Sequence, residues 1–385
     1  MMERIAPPWL DAPAPRAVTA ALTAAGWRAY YVGGCVRDAL LGRVAADIDV
    51  ATDAPPDAVI RAATAAGLKA APTGIAHGTV TLVHRGAPVE VTTFRRDVET
   101  DGRRAVVAFS SDIVEDALRR DFTMNALYAT PEGEVADPLG GLPDLRARRL
   151  RFVGRAEARI AEDALRILRF FRFHAWFADP EQGFDAEALA ACAAAAAQVD
   201  RLSRERVGAE TVKLLSAPDP APAVAAMAAA GVLARILPGA EAAALAPLVH
   251  MEDIAGAAPD WRRRLAALGW GDDWPERLRL SRADVKGLAA IRAALSTDEP
   301  VARAAYRHGA SAARDAALIR AAALGAPPAP GLRAEAERGA AARFPLRAAD
   351  LPLQGPALGA ALRRLEEAWI ASDFTLDRAA LVARA

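Results

Sequence analysis

The stretch YYVGGCVRDALLGRVAADIDV, residues 30–50, decides how this chain is read. Tyr30–Val32 is a short aromatic and β-branched run of the kind that forms a strand, and CVRDALLG has the character of a helix. Between them Gly33 and Gly34 make a turn that lets the backbone approach an anion closely, because neither carries a Cβ. A helix starting there adds the partial positive charge of its N-terminus, and Arg37 would project from its first turn towards the same anion. Nine residues after Asp38 comes Asp47-Ile48-Asp49. Positions i and i+2 of a strand share a face, so the two carboxylates point one way and Ile48 and Val50 point into the core. Carboxylates so placed repel unless a divalent cation lies between them, which makes the pair a candidate Mg2+ cradle for nucleotidyl transfer. Alone, a Gly-Gly turn occurs in many folds and a DxD is most often an exposed turn. Their coupling in one stretch is what points to chemistry.

Working outwards, further strands are expected at Thr79–Val83, Val89–Phe94 and Val106–Phe109. The first two flank HRGAP and read as a hairpin. In PVEVTTF (88–94), Val89, Val91 and Thr93 point one way and Glu90 the other. On a strand beside the DxD, Glu90 becomes a third metal ligand or a base for an attacking hydroxyl; otherwise it is plain solvent-face alternation. Residues 112–127 have helical spacing, DPLGGLPD (137–144) reads as a loop, and FRRDVETDGRRAVVAF (94–109) reads as a mobile charged loop between two strands. The apolar spacing over Arg159–Phe177 predicts one amphipathic helix. Alanine-rich helical segments follow, broken at 216–223, 237–239 and 325–331. No repeat of fixed period is present.

Composition narrows the classes. The 385 residues are 53% hydrophobic and 25% charged, enough for two or three packed domains and too apolar for a disordered chain. The 48 basic residues balance 48 acidic ones, which excludes a chain-wide attraction to nucleic acid or anionic membrane but not a local basic stripe. Such a stripe exists: Asp144–Arg172 holds nine arginines against four acids. It suits an RNA backbone or triphosphate, or else an exposed, ion-paired helix face. Cys35 and Cys192 are too far apart in sequence for a CxxC, and the five histidines form no HExxH or HD pair. A disulfide framework and a histidine metal site are therefore not expected. With no signal-peptide core and no apolar run long enough for a membrane span, a soluble, cytoplasmic protein is expected.

The motifs GGCVRD (33–38), DID (47–49), HGTVTL (77–82), EVTTFRRD (90–97), RRDFTMNAL (119–127) and EDALRILRFFRF (162–173), in this order, resemble the class II tRNA nucleotidyltransferases, the family of CCA-adding enzymes and bacterial poly(A) polymerases. The resemblance is strong over about residues 27–215. It is faint beyond, where GPALGAALRRLEEAWIASDF (355–374) is similar to the family's tail. Val44-Ala45-Ala46 stands where a basic residue often precedes the DxD.

The resemblance implies an α+β chain: a nucleotidyltransferase-fold head with a mixed or antiparallel sheet and helices, then an all-α neck, body and tail. The corresponding spans are 1–26 (extension and first helix), 27–143 (head), 144–215 (neck) and 216–385 (body and tail, RNA-binding). It implies Mg2+ on Asp47 and Asp49 with Glu90 assisting. It implies nucleotide contacts from Gly33, Gly34, Arg37, Arg120, Asp121 and Asn125, and from Asp163, Arg166, Arg169 and Arg172 in the neck. The loop at 94–109 would help the switch from C to A addition. Expected partners are the tRNA 3′ end, CTP and ATP, with neither a membrane nor an obligate protein partner.

Base choice follows from hydrogen-bond chemistry. Cytosine and adenine each offer an exocyclic amine donor beside a ring-nitrogen acceptor. A carboxylate (Asp163) accepts from the amine and a guanidinium (Arg166) donates to the ring. Uracil and guanine present a carbonyl beside a ring N–H, so both contacts fail, at about 1–3 kcal/mol per unpaired group. The i, i+3 spacing would set the two side chains one helical turn apart; without the upstream motifs it would read as an ordinary Asp–Arg pair. CCA addition is the reading that fits best. Poly(A) polymerase, a split CC- or A-adding activity and a non-catalytic RNA-binding scaffold remain open alternatives.

Overall fold

The computed structural model describes residues 3–100 and 105–385. The chain divides into two compact units, residues 1–210 with 226–236, and residues 211–225 with 237–385.

The first unit carries every strand found among the described residues. They are β1 (Ala29–Val32), β2 (Asp49–Thr52), β3 (Lys69–Gly74), β4 (Thr79–His84), β5 (Ala87–Thr93), β6 (Arg95–Thr100), β7 (Ala105–Phe109), β8 (Tyr128–Ala129) and β9 (Val135–Ala136). Seven form one mixed sheet in the order β3-β4-β5-β2-β1-β8-β9, and β6 and β7 pair separately. The only parallel neighbours in the larger sheet are β2 and β5, with Asp49 opposite Glu90 and Val50 opposite Val91. β1 runs antiparallel to β2, pairing Tyr31 with Val50, so Gly33 follows the end of β1 that lies beside the start of β2. Val50, Val91, Thr52 and Thr93 are buried, while Asp49 and Glu90 alternate to the exposed side. The β4–β5 hairpin closes through Arg85-Gly86, both with positive φ (49° and 84°), the primed turn that matches strand twist.

Several local expectations need correction. Strand β2 begins at Asp49, so Asp47 lies just before it rather than within it. The helix expected over 112–127 is only Ile113–Leu118, capped by the Asp112 carboxylate. A turn and a 3-10 helix, Thr123–Asn125, follow. The loop at 137–144 ends early, because the Asp137 carboxylate caps the N–H groups of Gly141 and Leu142 and starts the helix Leu142–Arg146. Most of 94–109 is not loop but the β6–β7 ribbon; residues 101–104 of that stretch lie outside the described residues.

The most consequential correction is at 159–177. Two helices occupy it, Ala156–Glu162 and Leu165–Phe177. Asp163 adopts an extended conformation (φ −153°, ψ 107°), and its Oδ1 accepts the Leu165 N–H at 3.0 Å, starting the second helix afresh. Apolar periodicity continues across the break because both helices bury the same kind of face. Phe122, Phe152, Phe170 and Phe173, with ring centroids 4.9–6.5 Å apart, fix the second helix to the RDFT segment.

The second unit is all helical among the described residues. Its long helices include Leu245–Ile254, Trp261–Ala267, Arg282–Leu295, Val301–His308, Ala310–Leu324, Leu332–Ala341 and Gly355–Ala371. Alanines 304, 305, 313 and 336 form one core, and Leu365, Trp369 and Ile370 anchor another. Gly339 permits the tightest approach: a Cβ there would lie 1.9 Å from the Ala302 carbonyl oxygen. A buried quartet joins Arg263 to Glu252 and Asp315, and Arg264 to Glu252 and to the carbonyls of Leu215, Ala217 and Pro218. No helix among the described residues is long and apolar enough to cross a membrane.

Candidate active site

Gly33 sits at φ 72° and ψ −119°, a conformation in practice reserved for glycine, and receives the Arg37 N–H on its carbonyl as the helix Gly34–Leu40 begins. Two guanidiniums bracket the turn. The place of a Gly33 Cβ is 3.2 Å from Arg120 NH1, and that of a Gly34 Cβ is 3.7 Å from Arg37 NH2. Arg37 does not reach out freely from the helix as its position suggested. It is buried, pairs with Asp38 at 2.9 Å, donates to Asn125 Oδ1 at 2.6 Å and stacks on Phe177 at 3.9 Å. Burial lowers its pKa, with Asp38 opposing.

Arg120 is held from behind. Its Nε donates to the Tyr128 hydroxyl (3.1 Å) and its NH2 to Asp116 (2.9 Å), while Tyr128 itself donates to Asp116 (2.7 Å). Burial raises the Asp116 carboxyl, but Arg120, Arg119 and the Tyr128 hydroxyl outweigh it and bring it down to about 2. Asp121 accepts from Asn125 (3.0 Å) and the Phe122 N–H (2.9 Å), and its Oδ2 accepts from Nε (2.7 Å) and Nη2 on one edge of Arg169. A chain of polar contacts, Arg37–Asn125–Asp121–Arg169, thus ties the glycine turn to the helix Leu165–Phe177. Arg172 stacks on Phe173 (4.2 Å) and pairs with Glu210.

The three acids singled out in the sequence line one cleft of about 930 Å³: Asp47, Asp49 and Glu90 contribute to its wall. Asp49 and Glu90 are register partners on adjacent strands. Partial burial raises the Asp49 carboxyl above its ordinary value; Glu90 and Asp47 raise it further, and Arg120 pulls it down. Arg120 therefore acts electrostatically on both the glycine turn and the carboxylates. Exposed oxygen donors of this kind suit a hard divalent cation. Among the described residues, however, no three His, Cys, Asp or Glu side chains are grouped tightly enough to form a ready-made metal site.

The neck pair is brought near the motif but not into a common helix. Asp163 pairs with Arg206 through Oδ2. Arg166 pairs with Glu162 and donates to the carbonyls of Arg159 (2.8 Å) and Arg119 (3.0 Å). The two do lie one turn apart, the Arg166 N–H donating to the Asp163 carbonyl at 3.0 Å, but Asp163 caps the second helix instead of lying within one continuous helix. Asp116, Tyr128, Arg206 and Glu210 were missed by sequence reasoning. Asp116 could have been found as the acid four residues before Arg120; nothing local points to the others. Cys35 and Cys192 are buried free thiols, and burial pushes the Cys35 thiol up to about 11, which makes it inert.

Comparison with known proteins gives a consistent picture. The model of the poly A polymerase head domain matches residues 29–151, and that of the probable RNA and SrmB-binding site of polymerase A matches residues 183–244. A CCA-adding enzyme of Geobacillus thermodenitrificans is 39% identical over 249 residues, 64% of this chain and 55% of that protein. One of Streptococcus pyogenes is 44% identical over 209 residues, 53% of this chain and 50% of that one. The chain thus spans about half the length of the curated relatives it matches. The crystal structure of Bacillus stearothermophilus CCA-adding enzyme in complex with CTP is similar at a TM-score of 0.76 and 31% identity, over 99% of this chain and 98% of that one.

Proposed function

Because this chain belongs to the family of CCA-adding enzymes and bacterial poly(A) polymerases, we propose that it adds C, C and A to the 3′ end of tRNA from CTP and ATP, releasing pyrophosphate. The carrying observation is the row formed by the glycine turn, Asp49 and Glu90 on three neighbouring strands, with Arg120 against the turn.

In this reading the 3′-terminal hydroxyl of the RNA attacks the α-phosphate of the bound nucleotide. The backbone of Gly33 and Gly34, with Arg37 and Arg120 on either side, receives the triphosphate and balances its charge. Asp47, Asp49 and Glu90 would hold Mg2+, which when bound acidifies the attacking hydroxyl and neutralises the departing pyrophosphate. Asp121, Asn125 and Arg169 keep Arg37 and the neck helix in register with the turn. Asp163, half-buried, retains lone pairs for an exocyclic amine, while Arg166 supplies the donor for the ring nitrogen, so cytosine and adenine are accepted and uracil and guanine rejected. Arg172 completes the nucleotide site. The buried, unpaired cysteines support a reducing compartment, which we take to be the cytoplasm.

The test is product length. Transcribed tRNA lacking its 3′ end is offered each nucleotide alone and in combination. Three residues added only with CTP and ATP together support the proposal. A long adenylate ladder would replace it with poly(A) polymerase, products stopping at CC or needing CC already present would indicate a split activity, and RNA binding without extension would leave only a scaffold.

A further inference from the structure

Arg120 is an unusually constrained arginine. Of its three nitrogens, Nε is taken by the Tyr128 hydroxyl and NH2 by Asp116, while NH1 is the edge beside Gly33. Tyr128 cannot swing away. It is fully buried in β8, directly opposite Val32, the residue before the turn, and its ring is wedged between Tyr30 and Phe94 at centroid distances of 6.3 and 6.4 Å. Its hydroxyl is in turn fixed by Asp116 at 2.7 Å. The guanidinium also lies 5.2 Å from the ring centroid. A flexible side chain has thereby lost its rotamer freedom before any ligand arrives, and pre-organisation of this kind strengthens binding without adding a contact.

We propose that Tyr128 is a positioning residue for phosphate recognition, its hydroxyl aiming Arg120 at the glycine turn where the triphosphate is held. The inference rests on the proposed nucleotidyl transfer for its substrate, yet its readout is binding rather than turnover. Tyr128 never touches the nucleotide; it acts through Arg120.

Tyr128→Phe removes one oxygen and keeps the packed ring. Inorganic pyrophosphate with Mg2+, titrated calorimetrically into the full chain, presents phosphates without a base. The phenylalanine variant should bind it about tenfold more weakly, the weight of one hydrogen bond to a charged group. In an Arg120→Ala background the same substitution should cost nothing more. In turnover, kcat/KM for CTP and ATP should fall by one common factor, with discrimination against UTP unchanged. Asp116→Asn, which reduces the ion pair beside the Tyr128 contact to at most a neutral hydrogen bond, should shift pyrophosphate affinity the same way and covers the case in which Tyr128→Phe does not fold. Unchanged affinity, a further loss without Arg120, or a loss that depends on the base would each overturn the inference. A wild-type chain that binds pyrophosphate but extends no RNA would overturn the proposed function instead.

Discussion

Replacing each of the two adjacent glycines by alanine should give opposite results. At Gly33 an L-residue must adopt φ 72° and ψ −119°, at a strain of about 1–3 kcal/mol. Its methyl would stand 3.2 Å from Arg120 NH1 and 3.6 Å from the Asn125 carbonyl oxygen. Arg120 is pinned by Tyr128 and Asp116, so it yields poorly. The stiffer unfolded chain returns about 0.4–1 kcal/mol, leaving a net loss of about 2 kcal/mol. Gly34 is already helical, and its methyl would meet nothing nearer than Arg37 NH2 at 3.7 Å. There alanine should be neutral or stabilising by up to about 1 kcal/mol. For a unit of this size, Gly33→Ala should lower the melting temperature by about 4–8 °C, while Gly34→Ala stays at or above wild type. Both should lose nucleotide incorporation, the first with its fold weakened and the second with it intact. Scanning calorimetry beside the extension assay decides it: equal melting temperatures, or Gly34→Ala as the less stable protein, would refute the reasoning.

Asp49→Asn should abolish incorporation while RNA binding persists. Its carboxyl is raised above 3.8 in the folded chain, so the native state binds this proton more tightly than the unfolded one and loses stability as pH rises past that value. The asparagine variant should therefore gain stability relative to wild type at pH 7 and lose the advantage below pH 3.8; urea unfolding at the two pH values checks the sign. Arg166→Ala should relax discrimination against UTP about tenfold to a hundredfold before turnover disappears, measured as a ratio of kcat/KM values. Glu252→Ala takes the shared carboxylate from two buried arginines, leaving Arg263 with Asp315 and Arg264 with backbone carbonyls alone, and should cost about 3–5 kcal/mol, visible as a destabilised second unit in calorimetry.

The head was legible where chemistry and periodicity coincide. Alternation in PVEVTTF sufficed to set Glu90 apart from Val89 and Val91, and the hairpin followed from the short glycine-containing HRGAP between two strands. The helix break at Asp163 was not legible, because the apolar spacing runs straight through it and only the capping carboxylate interrupts the backbone. Helix length after Asp112 failed for a related reason: Phe122 is buried against Phe173 and Met124 is buried within a 3-10 helix, not on a continuing α-helix. Partners set by the fold, such as Arg206 for Asp163 and Tyr128 for Arg120, leave no periodic trace. The three candidate acids were placed on a common cleft, but a tight three-acid cluster is absent among the described residues.

The parallel pairing of β2 with β5 sets Val50 against Val91 one step from Asp49 and Glu90. If either strand slipped by a single residue, its valine would turn to water and its acid into the apolar interior. Hydrophobic burial therefore serves as the alignment gauge for the reactive groups. A misaligned molecule would not linger as a folded but inert protein; it would fail to fold, and quality control by stability alone would remove it.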